Sequence, residues 1–249
     1  MISPWLWPAA FAIGLILGLF GAGGGMVTVP ALMFLADMNV KMAVATSLWF
    51  VAFVSLAAAI HQRFWRHLQP KLLATFAVSG MIGGALGSRV GLLLPSFLQV
   101  AMLSLLTFYV AWWTSRVRLK DRVSVFRFIP AAITGLVIGI LTGALGVGGG
   151  FLLVPALIFL GIEEFRLAVV HSLVLIFLNA LVAAISYLPS LQIDAGLTAG
   201  IALLAAIGSI AGGILLKRLP GEALKKGFAL LLVLLGGLMA WQAWQLHAV

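Results

Sequence analysis

Residues 14–48 and 139–173 are two copies of one segment, and this duplication narrows the folds open to the chain more than any other feature. They read GLILGLFGAGGGMVTVPALMFLADMNVKMAVATSL and GILTGALGVGGGFLLVPALIFLGIEEFRLAVVHSL. The offset is 125 throughout, without a gap, and 16 of 35 positions are identical. The identities include Gly18/Gly143, Gly21/Gly146, Gly23/Gly148, Gly24/Gly149, Gly25/Gly150, Pro30/Pro155 and Ser47/Ser172. Shared apolar composition gives scattered matches, but not an aligned glycine triplet followed at a fixed distance by proline. The third segments correspond more loosely, with Gly80, Gly84 and Arg89 near Gly208, Gly212 and Lys217. The chain reads as two copies of a four-segment unit, 1–122 and 123–249, within a single transmembrane domain.

What each unit can be follows from its solvent. Apolar stretches fall at about 4–36, 42–60, 70–94, 97–115, 128–161, 167–188, 194–216 and 224–246. They are apolar all round, so barrel strands, which alternate polar and apolar residues, do not fit. Overall 63% of the residues are hydrophobic and 8% are charged, against roughly 25% charged in a soluble domain. Fifteen Lys and Arg with six Asp and Glu cannot coat a soluble surface of 249 residues. The fold class expected is an all-α polytopic membrane protein, multi-pass in a cytoplasmic membrane. The partners expected are the lipid bilayer and a small anionic solute. The net charge of +9 is read as basic cytoplasmic loops, and no nucleic acid is expected, since no basic block carries interleaved aromatics. A homo-oligomer stays open. Met1–Gly25 lacks the positive flank of a signal peptide and is expected to remain part of the fold.

The basic residues orient the copies. Arg63, Arg66 and Lys71 follow segment two; Arg116, Arg118, Lys120, Arg122 and Arg127 link the copies; Lys217, Arg218, Lys225 and Lys226 follow segment seven. All three groups should be cytoplasmic. Their counterparts carry little charge: Asp194 at 188–194, Arg89 at 89–96, and no Lys or Arg at the termini. Opposite charge bias at matched positions is the signature of an inverted-topology repeat. Inversion requires an odd number of crossings per copy, so one segment of four must enter and return. The glycine-rich one is the candidate, with Pro8–Phe20 descending, Gly21–Gly25 turning and Met26–Leu35 climbing back. This gives six spans and two re-entrant hairpins. The alternative is eight full spans in parallel repeats.

Glycine clusters at membrane depth expose backbone N–H groups, and a helix N-terminus adds partial positive charge. Helices starting at Met26 and Phe151 therefore make an anion site without a buried cation. Gly23, Gly24, Gly25 and Met26, with Gly148, Gly149, Gly150 and Phe151, are the expected substrate contacts. Ser47 and Ser172 are symmetric hydroxyl donors, and each is equally well read as bonded back to its own helix. His171 is a further candidate, more often a packed or interfacial histidine. Lys41 and Arg166 match by repeat and read as interfacial. The plain alternative for the glycines is close helix packing, which suffices for Gly80, Gly84, Gly87, Gly208 and Gly212. Asn179 is noted as a polar residue deep in segment six. Trp5, Trp7, Trp112, Trp113, Trp241 and Trp244 suit an aromatic belt. With no cysteine, no acid within a span and no GxxxxGK[ST] run, neither an enzyme nor an ATP-driven pump is expected. No metal and no cofactor are expected.

The paired motif GLFGAGGGMVTVP at 18–30 and GALGVGGGFLLVP at 143–155 resembles the signature of the TauE/SafE family of membrane transporters. The likeness covers nearly the whole chain in length, segment number and duplication. It implies secondary transport, by export, of sulfite or another sulfur-containing oxyanion or sulfonate. A channel for a small anion or a neutral solute, built from the same hairpins, is the alternative reading. A structural membrane protein with no path is a third.

Overall fold

The computed structural model describes residues 3–21, 24–63, 65, 70–116, 128–145, 150–160, 162, 164–187 and 194–247. These form ten helices: α1 Leu6–Phe20, α2 Gly24–Leu35, α3 Val40–His61, α4 Pro70–Leu93, α5 Ser96–Arg116, α6 Phe128–Leu145, α7 Gly150–Phe159, α8 Phe165–Tyr187, α9 Ala195–Arg218 and α10 Gly221–His247. Helix is the one spanning state that satisfies each backbone group within its own segment. Side chains supply caps where the sequence offers them. Asn39 Oδ1 accepts the Met42 N–H at 2.9 Å to start α3, and Asp194 Oδ1 accepts the Leu197 N–H at 3.0 Å to start α9.

Six expected segments become single helices, while the two glycine-bearing ones each break into a pair. Seven helices are long and apolar enough to cross a membrane: α3, α4, α5, α6, α8, α9 and α10. This is one more than expected. At 18 residues α6 reaches about 27 Å, close to the ~30 Å hydrocarbon core, whereas the 15 residues of α1 reach about 22 Å. The first glycine-rich pair is a hairpin. The Ser3 N–H donates to the Leu35 carbonyl at 2.8 Å, so the end of α2 returns to the beginning of α1. Pro30 and Pro155 lie inside α2 and α7 and deny the carbonyls of Met26 and Phe151 their usual donor four residues on.

The helices pack in pairs that exchange when the halves are exchanged. α1 lies along α9 as α6 lies along α4; α2 packs on α3 as α7 packs on α8; α3 touches α9 as α8 touches α4. α3 with α8, and α5 with α10, join the halves directly. The glycines show why the chain can approach itself so closely. A Cβ at Gly14, Gly18, Gly208 or Gly212 would overlap the backbone oxygen of Ala205, Ser209, Phe11 or Leu15. At Gly139, Gly143, Gly83 and Gly87 it would overlap that of Gly80, Gly84, Leu136 or Ile140. Every one of these contacts has its partner 125 residues away. The true counterparts of Gly208 and Gly212 are thus Gly83 and Gly87, not Gly80 and Gly84. Packing is their role, as small residues at membrane helix interfaces generally provide.

Large apolar side chains cover the outside, among them Leu105, Ile129, Leu203 and Leu234. Trp5, Trp7, Trp112, Trp241 and Trp244 are exposed toward helix ends. The basic residues expected at Arg66, Arg118, Lys120, Arg122 and Arg127 lie outside the described residues.

Candidate transport site

α3 and α8 carry the buried polar residues of the centre. Thr46, Ser47, His171, Ser172 and Asn179 are each at most 2% exposed. The first glycine turn rests on α8. Gly21 closes α1 in the left-handed conformation, φ 59° and ψ 22°, which glycine adopts without steric cost. Its N–H bonds the Leu17 carbonyl at 2.8 Å. Its own carbonyl accepts the Ser172 hydroxyl at 2.8 Å, a bond spanning 151 residues. The same hydroxyl lies 2.8 Å from the Val169 carbonyl, so Ser172 bonds back to its own helix and across to the other half at once. The bond back to its own helix is the one the sequence allows for, and the bond to Gly21 is an addition to it. Ser47 Oγ donates to the Val44 carbonyl at 3.1 Å.

α2 begins at Gly24, two residues before the expected start, and α7 begins at Gly150, one residue before. Gly24, Gly25 and Met26 form the first turn of α2, whose N–H groups have no acceptor within the helix. Thr28 Oγ1 donates to the Gly24 carbonyl at 2.6 Å. Gly24 is wedged against α1, where a Cβ would lie 2.9 Å from Leu17 Cβ and closer still to its Cδ1. Replacing Gly24 therefore disturbs the hairpin as well as any ligand. Phe151 is fully buried, and its side chain packs into the core. Gly23, Gly148 and Gly149 lie outside the described residues, and so does the turn at Gly146.

His171 is 2% exposed, and its Nδ1 lies 2.7 Å from the Leu167 carbonyl, so Nδ1 carries the proton and donates. Lys41 and Arg166 prove to be caps. Lys41 Nζ donates to the carbonyls of Gly91 and Leu94 at the end of α4. Arg166 Nη2 donates to the Leu219 carbonyl at 2.8 Å, just past α9. Leu94 and Leu219 match at offset 125. A cation there completes carbonyls that the helix end leaves open, worth about 0.3–1 kcal/mol from the dipole alone. These bonds also bring the start of α3 level with the end of α4, and the start of α8 level with the end of α9.

Two further polar groups escaped the sequence reading, and a third stands there only as a polar residue deep in segment six. Gln62 Nε2 donates to the Gly18 carbonyl at 3.3 Å, and Tyr187 Oη donates to the Gly143 carbonyl at 3.1 Å. They are counterparts at offset 125, but unlike residue types hid the match. The third is Asn179. Both of its amide atoms are buried without a hydrogen-bond partner among the described residues. A buried amide left so costs about 1–3 kcal/mol.

Ten helices among the described residues, apolar side chains over the outside and a centre of buried hydroxyls and an amide define an integral, multi-pass membrane protein. The family is specific: the model of the family described as "Sulfite exporter TauE/SafE" matches residues 6–239, and the chain belongs to it. A probable membrane transporter protein of Xylella fastidiosa is 27% identical over 245 residues, covering 93% of this chain and 92% of that one. The probable membrane transporter protein YunE of Bacillus subtilis is 28% identical over 209 residues, 72% and 77% of the two chains. A probable membrane transporter protein of Methanocaldococcus jannaschii is 30% identical over 204 residues, 76% and 73%. No solved structure is significantly similar.

Proposed function

We propose that the chain carries a small anion, sulfite or another sulfur-containing oxyanion or sulfonate, by alternating access at the interface of two inverted repeats. The observation that carries this reading is the Gly21 turn. It is held to Ser172 of the other half just before α2, whose first N–H groups have no acceptor within the helix. Each helix N-terminus supplies about half a positive charge, so two of them offer roughly one unit without a buried Lys or Arg to trap the ligand. The buried polar side chains among the described residues include no carboxylate to hold a cation. Export is the direction in the family description. The proposed contacts are the N–H groups at Gly23, Gly24, Gly25 and Met26, and at Gly148, Gly149, Gly150 and Phe151. Ser172 positions the Gly21 turn, and Ser47 is its counterpart in the other half.

In proteoliposomes, sulfite, thiosulfate or a small sulfonate should compete for uptake, and ammonium or methylammonium should not. Competition by the cations alone would refute the anion reading.

Counting supports inversion. The Ser3–Leu35 bond supports a hairpin that begins and ends on one side, and α3, α4 and α5 then add three crossings before α6 starts. The chain has no cysteine, so single cysteines report sidedness directly. Those at Arg118 and Lys226 are expected to resist an impermeant thiol reagent in whole cells and to react after permeabilisation. Those at Leu93 and Trp244 are expected to react from outside. Labelling of Lys226 from outside with Arg118 protected would establish parallel repeats instead.

A further inference from the structure

The two halves serve as references for each other, and at one buried position they disagree in chemistry. Asn179 on α8 corresponds to Val54 on α3, and Gly80 on α4 corresponds to Ala205 on α9. Each pair lies where a third helix meets a fourth: α8 on α4, and α3 on α9. Val54 and Ala205 are both fully buried, so apolar side chains pack this junction fully. The fold does not require an amide there. Yet Asn179 is 0% exposed, and neither its Oδ1 nor its Nδ2 has a hydrogen-bond partner among the described residues. Gly80 is its complement. A Cβ at residue 80 would stand 2.5 Å from Asn179 Oδ1 and 2.6 Å from Nδ2, so the missing methyl leaves room for the amide. An ionisable or polar group kept in the membrane interior against its desolvation cost marks a path more often than a packing device.

We propose that Asn179 is a hydrogen-bonding station on the transport path. Its ligand is a small oxyanion that carries a hydroxyl or a water of hydration. Nδ2 donates to an oxyanion oxygen, and Oδ1 accepts from the hydroxyl or the water. The station is closed in this structure, because the amide lies against Gly80. Movement of α4 away from α8 uncovers it. Gly84, whose added Cβ would lie 3.1 Å from the Asn179 carbonyl oxygen, gives α4 a second smooth point on the same face. The position is also right for a path. Asn179 follows Ser172 by seven residues, on the same face of α8 and about 10 Å further along its axis. Ser172 holds the Gly21 turn, so the stripe runs from the proposed anion site into the α4–α8 junction. The charge of the ligand rests on the anion reading; the place rests on the Asn179–Gly80 geometry.

The test transplants the other half's packing. The full-length double variant Asn179→Val/Gly80→Ala reproduces the Val54/Ala205 pair and should fold with an unchanged or higher melting temperature. Uptake is measured in proteoliposomes for sulfite, thiosulfate, methanesulfonate, acetate, urea and methylammonium. The expected result is at least a tenfold loss of oxyanion uptake, seen mainly as weaker half-saturation. If the double variant does not accumulate, Asn179→Ala, which only removes atoms, carries the same expectation. Wild-type uptake by a folded variant overturns the station. Wild-type protein that carries only methylammonium or urea overturns the anion reading, and the station then stands only if that flux falls tenfold in the variant. Wild-type protein that carries none of the six solutes overturns both.

Discussion

Gly87→Leu and its counterpart Gly212→Leu should leave little folded protein in the membrane. At Gly87 an added Cβ overlaps the Ile140 carbonyl oxygen and comes within 2.8 Å of that residue's carbonyl carbon and Cα. At Gly212 it overlaps the Leu15 oxygen and lies 2.8 Å from the Leu19 nitrogen. These obstacles are backbone, so no rotamer change relieves them, and whole helices must separate. α4–α6 and α1–α9 are the most extensive helix pairs in the molecule. In lipid their association depends on van der Waals contact, which falls steeply with separation. The expected loss is about 5 kcal/mol, comparable with the entire stability of many domains. Gly237→Ala is the control, because nothing lies within 4 Å of its added Cβ and alanine favours the helix. Detergent-solubilised yield and melting temperature should be normal for Gly237→Ala and collapse for the other two. Normal melting of Gly87→Leu would mean that the α4–α6 contact is loose enough to admit a side chain.

Gly21→Ala should remove transport while leaving most of the protein folded. The left-handed conformation costs an L-residue about 1–2 kcal/mol. The new methyl would stand 2.6 Å from Ser172 Oγ, 2.7 Å from Val169 Cγ1 and 2.9 Å from Val169 Cα, adding about 1–3 kcal/mol. The least costly escape is for the turn to lift off α8, which breaks the Ser172–Gly21 bond and misplaces the start of α2. At 1.4 kcal/mol per tenfold, uptake should fall at least about 30-fold. Ser172→Ala removes only the hydroxyl and strands the Gly21 carbonyl, for about 1–3 kcal/mol, so its loss should be smaller. Uptake measured beside melting temperature separates the two effects. Wild-type uptake in Gly21→Ala would show that the turn does not shape the site.

The apolar runs, the helix class, the internal repeat and the helix breaks at the glycine clusters were legible in the sequence. Each depends on local rules: a bilayer demands self-satisfied backbone, glycine and proline interrupt helices, and a gapless offset needs only counting. Asn39 and Asp194, immediately before α3 and α9, act locally too, as caps. Lys41 and Arg166 are legible as a pair at loop edges, but what they bind is not. Their acceptors are the carbonyls of Leu94 and Leu219, 53 residues away in each case, and no spacing rule reaches that far. The third segments keep the offset of 125 as well: Gly83 pairs with Gly208, and the backbone oxygens that these two face, of Leu136 and Phe11, are themselves 125 residues apart. Tertiary structure alone decided that Ser172 holds Gly21 and that Phe151 is a core side chain. It alone decided that Asn179 is an unsatisfied amide beside a glycine. Composition records that a polar residue is present; only the packing of helices distant in the chain decides whether its hydrogen bonds are met.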